Sequence, residues 1–242
     1  MLDFALSLWI RATAFTGMVG FYAGAAQASA DLTKGGSERY PVVLIHGIFN
    51  SAATMLPMAK KLATEGWDAY TLTLKPANGK LGLPELARQV SDYVERTFPK
   101  GQKINLVGFS MGGIVCRYYL QKLGGADRVD HFVSISAPNH GTWAAYLRGG
   151  DGCLQMRPDS ALLADLNGDL SALERIRMTV VWTPLDLVIL PAKSSRMPVG
   201  QEMRRWRIMH PLMVLQPAGI ADIVTALKNP PARMQQPSEH FQ

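Results

Sequence analysis

Short apolar runs alternate along this chain with longer stretches whose apolar residues recur at helical spacing. Pro41-Val42-Val43-Leu44-Ile45-His46-Gly47 is an unbroken apolar run ending in glycine. That is the signature of a strand buried on both faces of a parallel sheet, where no polar face is needed. Residues 52–65 read as a helix stopped by Gly66, and residues 68–74, alternating and rich in threonine, as a second strand. Over residues 84–98, Leu86, Val90 and Val94 make one apolar stripe, with Pro84 suited to the first turn. Residues 104–109 predict a third strand. Residues 111–123 predict a third helix closed by Gly124-Gly125. A fourth strand follows at 129–136.

Beyond that point the rhythm loosens. Residues 139–172, rich in Gly, Asp and Leu, have weak periodicity and read as a short insertion above the sheet. Regular patterning returns with a fifth strand at 176–183, a short sixth strand at 205–209 and a helix from Pro211 to about Lys228. The tail from Pro230 reads as loose. Strands separated by helices predict an α/β fold, a mostly parallel sheet with helices on both faces. The 242 residues suffice for one sizeable core, so residues 31–242 are expected to form a single domain.

Composition is that of a globular protein, with 48% hydrophobic and 18% charged residues and a net charge of +6. The Lys and Arg residues are scattered rather than set in a stripe, which argues against nucleic acid as a partner. Contact with a lipid interface and the oligomeric state stay open. Residues 1–30 differ from the rest: Asp3 and Arg11 are their charges, an apolar run spans 12–26, and Ala26-Gln27-Ala28-Ser29-Ala30 holds two overlapping A-x-A patterns. They are expected to act as a signal peptide, making the protein secreted or periplasmic, with an uncleaved anchor as the alternative. Cys116 and Cys153 are too few for a disulfide scaffold; they are either two buried thiols or one bridge.

The candidate chemistry lies in Gly108-Phe109-Ser110-Met111-Gly112, a G-x-S-x-G pattern with a strand running into it and a helix running out. A sharp turn there lifts the serine hydroxyl above the sheet edge, and small residues on either side let the chain pass closely. A phosphate loop would need Gly-Lys-Ser/Thr, and Gly112 is followed by Gly113-Ile114. A serine nucleophile needs a base, and the base needs an orienting acid. After such an elbow the partners follow in the order acid, histidine. His46 precedes the serine, His131 lies inside a strand, and His240 sits in the tail. Of His210 and His140, His210 is preferred as the base, because it precedes a Pro-led helix; His140 suits a loop-ordering hydrogen bond. Asp186 follows the fifth strand and is the expected acid. The oxyanion donors are the backbone N–H groups of Met111 and Ile48, with His46 holding the Ile48 loop. Phe49, Trp143, Leu187 and Leu212 are candidate substrate-binding residues.

Together these residues resemble the bacterial lipase and esterase families of the α/β-hydrolase superfamily, near the small triacylglycerol lipases. Val43-Leu44-Ile45-His46-Gly47-Ile48 is similar to their strand and oxyanion loop. Gly108 to Gly113 followed by Arg117-Tyr118-Tyr119-Leu120 is similar to their elbow and helix, and Ser136 to Thr142 and Thr183 to Asp186 are similar to the loops that follow. The resemblance implies Ser110, Asp186 and His210 as a triad, with no cofactor and no metal. It implies hydrolysis of carboxylic esters, of lipid-like acyl chains in particular. The same triad serves acyl transfer, thioester or amide cleavage, and a non-catalytic binding protein is the reading from another class.

Overall fold

A computed structural model describes residues 39–206 and 209–233. The signal-peptide segment and His240 lie outside the described residues.

Among the described residues six strands form one sheet: β1 (Val42–Ile45), β2 (Ala69–Leu72), β3 (Ile104–Phe109), β4 (Val129–Ile135), β5 (Arg177–Trp182) and β6 (Gln201–Arg204). Their order is β2-β1-β3-β4-β5-β6, and every neighbouring pair is parallel. Helices α1 (Ala52–Thr64), α2 (Leu83–Thr97) and α3 (Met111–Lys122) alternate with the first strands. Short helices α4 (Asp151–Gln155), α5 (Ala161–Gly168) and α6 (Ser171–Glu174) fill the stretch between β4 and β5. Helices α7 (Leu212–Leu215) and α8 (Pro217–Lys228) follow β6.

The sheet is buried on both faces, as the continuous apolar runs require. Val43, Ile45 and Leu106 point to the side packed by α2 and α3. Their neighbours Val42, Leu44 and Val107 point to the side packed by α1 and α8. This period-two division lets one strand feed two cores. Gly66 and Gly124 take positive φ, 87° and 74°, where α1 and α3 end.

Two sequence expectations shift. The sixth strand forms at Gln201–Arg204, ahead of the expected 205–209, of which residues 207 and 208 lie outside the described residues. As an edge strand paired on one side alone, it needs backbone partners more than apolar side chains, and its Gln-Glu-Met-Arg sequence is largely exposed. The last helix divides at Gln216, because Pro217 has no N–H to continue α7 and instead opens α8. No described helix is long and apolar enough to cross a membrane.

The strand order reverses between β1 and β3: the chain leaves β1 toward one edge for β2 and returns to its other side for β3. Sheets of this kind bind ligands at the carboxyl ends of strands beside that reversal. The loop after β1 carries Ile48, and the turn after β3 carries Ser110.

Candidate active site

Ile45 at the end of β1 pairs in register with Gly108 near the end of β3, so the two following loops emerge side by side. Ser110 leaves β3 with φ 54° and ψ −125°, and α3 begins at the next residue. A non-glycine residue there is strained and must be held by its surroundings. The Ser110 N–H donates to the Ile135 carbonyl at 2.9 Å, and its own carbonyl accepts the Gly113 N–H at 2.9 Å. The approach of neighbouring backbone explains the small residues. A Cβ at Gly112 would lie 2.4 Å from the His46 carbonyl oxygen, and one at Gly47 would lie 2.9 Å from the Ser110 Cβ.

His46 is fully buried and reads both of its ring nitrogens unambiguously. Nε2 accepts the Leu74 N–H at 3.0 Å, so the proton sits on Nδ1, which donates to the Gly47 carbonyl at 2.8 Å. Burial, opposed by the Gly47 bond, pushes its pKa down and keeps the ring neutral. His46 thus holds the β1 loop. Within that loop Phe49 has φ 59° and donates its N–H to the Ala77 carbonyl at 2.6 Å. The Ile48 N–H donates to no backbone carbonyl outside regular structure among the described residues. The Met111 N–H, in the first turn of α3, has no acceptor within the helix.

Asp186 and His210 meet across the loops that follow β5 and β6. The His210 Nδ1–H donates to Asp186 Oδ2 at 2.7 Å, with both side chains buried. The other carboxylate oxygen accepts the N–H groups of Val188 and Ile189 at 2.9 and 2.8 Å. Asp186 is therefore fixed by its own loop as well as by the imidazole. The His210 ring packs against the Phe109 ring, the residue before Ser110, with centroids 4.8 Å apart.

Ser110 and His210 both line one cavity of about 270 Å³. Ile48, Phe49 and Leu187 line it too, whereas Trp143 and Leu212 do not. Trp143 stands 61% exposed and stacks on Tyr146, and Leu212 turns toward the core beneath α7. Residues whose role the sequence did not signal complete the wall, among them Pro138, Ala145, Leu147, Arg148, Met156 and Val214. Several lie in the weakly periodic stretch, where no pattern says which side chains face inward. Cys153 also reaches this wall; it and Cys116 are buried and unpaired.

Asn139 and His140 together order the loop after β4. The Asn139 side chain is fully buried, donates to the Ser195 carbonyl at 2.7 Å and accepts from Arg117 at 3.3 Å. The His140 ring bonds the Arg196 backbone, and the His140 backbone N–H donates to the Ser194 carbonyl at 3.0 Å. His140 makes a longer contact to Asn167 at 3.3 Å. Thr142 bridges to the acid loop, donating to the Val188 carbonyl at 2.8 Å and accepting the Leu190 N–H at 2.9 Å.

Residues 41–185 match the family model of palmitoyl protein thioesterase. The chain belongs to the palmitoyl protein thioesterase family. The match takes in Ile48, Ser110 and Met111 and stops one residue before Asp186. Among curated proteins, mouse (Mus musculus) lysosomal thioesterase PPT2 is 28% identical over 107 residues, 43% of this chain and 35% of that protein. The Drosophila melanogaster PPT2 homologue is 30% identical over 109 residues, 43% of this chain and 37% of that protein. The match thus spans about a third of the length of these relatives. Of solved structures, the mature Bacillus licheniformis lipase BlEst2 superposes with a TM-score of 0.64 at 16% identity, over 78% of this chain and 91% of that one. Aspergillus fumigatus lipase B does so with a TM-score of 0.67 at 17% identity, over 81% and 54%. These likenesses establish the α/β-hydrolase fold. The superfamily is the one the elbow and the His-Gly loop resemble, and within it the matching family model is that of the thioesterases.

Proposed function

We propose that this protein is a serine acyl hydrolase that cleaves esters or thioesters of lipid-like acyl chains through an acyl-enzyme on Ser110. The observation that carries this reading is the buried Asp186–His210 pair opening onto the same apolar cavity as the strained Ser110. In the mechanism, the Ser110 hydroxyl attacks the acyl carbonyl while His210 Nε2 takes its proton. The Nδ1–H bond to Asp186 sets the tautomer and stabilises the imidazolium. The N–H groups of Ile48 and Met111 receive the oxyanion, and no metal or cofactor enters the mechanism. Collapse expels the alcohol or thiol with a proton from His210, and water repeats the cycle on the acyl-enzyme.

Family membership supports a thioester substrate. The resemblance to small triacylglycerol lipases supports an oxygen ester, and one structural feature favours a lipid interface. Phe49, Leu147, Leu187 and Leu215 line the cavity and are each more than a third exposed, so its mouth has an apolar rim. Export, as expected from residues 1–30, belongs to the same reading.

The test is Ser110→Ala beside wild type. Wild type labels with a fluorophosphonate on Ser110 and turns over a palmitoyl thioester, a palmitoyl ester or both. The variant folds, does not label, and loses on the order of 10³–10⁶ in rate. Equal turnover by the variant removes Ser110 from the mechanism. Unlabelled wild type with no turnover favours a binding protein on this fold.

A further inference from the structure

The cavity wall is apolar with one fixed charge among the described residues: Arg148, which follows the turn over residues 143–147. Among the described residues no carboxylate lines the cavity. The Arg148 guanidinium lies over the Phe49 ring, 4.8 Å from its centroid, and Phe49 adjoins the Ile48 N–H. Arg157 stands beside it: its guanidinium donates to the Arg148 carbonyl at 3.4 Å and covers the Tyr146 ring at 4.6 Å. Many described arginines elsewhere pair with carboxylates, as Arg128 does with Glu95, Arg177 with Asp130, Arg196 with Glu202 and Arg205 with Asp222. Neither Arg148 nor Arg157 has such a partner among the described residues. Aromatic faces and carbonyl oxygens orient these two charges, and no described carboxylate neutralises them.

A guanidinium without a counterion at the rim of an apolar cavity sorts the two ends of a substrate. An acyl chain gains by burial along Met156, Ile189 and Val214. An anionic group must stay where water and a cation reach it. We propose, building on the acyl-hydrolase reading, that Arg148, assisted by Arg157, selects acyl substrates whose leaving group carries a phosphate. The planar fork of Arg148 matches phosphate oxygens in pairs, and Arg157, bonded to the Arg148 carbonyl, adds a second positive charge to the same segment. Such a phosphate belongs either to a soluble phosphorylated thiol or to a lipid headgroup.

Two substrate pairs, alike except for the phosphate, separate the sources. The soluble pair is the octanoyl thioester of 2-mercaptoethyl phosphate and that of 2-mercaptoethanol. The lipid pair is 1-palmitoylglycerol 3-phosphate and 1-palmitoylglycerol in neutral detergent micelles. Wild type is expected to favour the phosphorylated member of at least one pair in kcat/KM, and the pair that shows the preference names the source. In that pair Arg148→Gln lowers the preference by about tenfold, chiefly through KM, as loss of a charge-assisted contact should. Arg148→Lys keeps part of it, because it keeps the charge without the fork. No preference in wild type, or a preference that Arg148→Gln leaves intact, overturns the assignment. Fluorophosphonate labelling of Ser110 in each sample reports the acyl-hydrolase reading separately. Labelled protein without phosphate preference overturns the role of Arg148 alone, and unlabelled, inactive wild type overturns both.

Discussion

Asp186 shows how one side chain is committed to one geometry. One carboxylate oxygen is held by two N–H groups of its own loop, and the other faces His210 Nδ1. In Asp186→Asn the amide oxygen replaces the first acceptor, which leaves an NH₂ facing the imidazole. That amide favours the tautomer with the proton on Nε2, where the proposed base must be empty. The expected result is a fall in kcat of roughly 10³–10⁴ with KM little changed. Asp165→Asn and Asp169→Asn, at exposed positions of the β4–β5 stretch, should lose far less. Steady-state kinetics on the three variants decides. Full turnover by Asp186→Asn would move the acid elsewhere.

Among the elements, α3 carries Arg117 into the interior of the molecule. Its fully buried guanidinium donates to the Asn139 carbonyl and side chain at 3.4 and 3.3 Å, to the Leu166 carbonyl at 2.9 Å and to the Asn167 side chain at 2.9 Å. One side chain therefore joins the elbow helix, the loop after β4 and the end of α5. Asn139 passes the connection on to Ser195. Arg117→Met matches much of the volume but leaves buried acceptors unpaired, a loss on the order of 3 kcal/mol. Lysine, with one compact ammonium, should recover less than half of it, again an order-of-magnitude expectation. Urea unfolding of the two variants measures both, and an unchanged midpoint in Arg117→Met would show that the joint contributes nothing to stability. The motif Arg117-Tyr118-Tyr119-Leu120 is plain in the sequence, but beyond Gln121, one turn on, its arginine reaches partners 22 to 50 residues away, and no local pattern contains those.

For the molecule as a whole, a histidine in a central strand links stability to pH. His131 on β4 is buried, its Nε2 meets the Thr179 hydroxyl at 2.9 Å, and its Nδ1 has no hydrogen-bond partner among the described residues. Burial lowers its pKa to about 4 from 6.5; Asp130 raises it and Arg177 lowers it further. The unfolded chain therefore binds the proton first as pH falls. Stability is full above pH 6.5 and declines as pH drops toward 4, by about 2 kcal/mol between pH 7.5 and 5 from this group. His46, whose pKa is also lowered, acts in the same direction. Replacing His131 by Gln, which keeps a polar group toward Thr179, should flatten that part of the profile. Urea titrations at several pH values measure it, and identical slopes with and without His131 would exclude its contribution.

The alternation of apolar runs and amphipathic stretches determined the parallel α/β sheet, because a strand covered on both faces must be apolar throughout and a covering helix must be striped. The elbow was equally evident, since the close approach of backbones at Gly47, Gly108 and Gly112 demands small residues wherever it occurs. Tertiary structure decided what depends on contacts remote in sequence. It placed the sixth strand at polar residues 201–204, where pairing at an edge outweighs hydrophobicity. It turned Trp143 to solvent and Leu212 to the core, although both adjoin recognisable motifs. It brought Asp186 to His210, with β6 between them in the chain, and it set Arg148 on the face of Phe49. Side chains in irregular loops take their direction from the partners they meet, and those partners are defined by the folded chain rather than by any spacing along it.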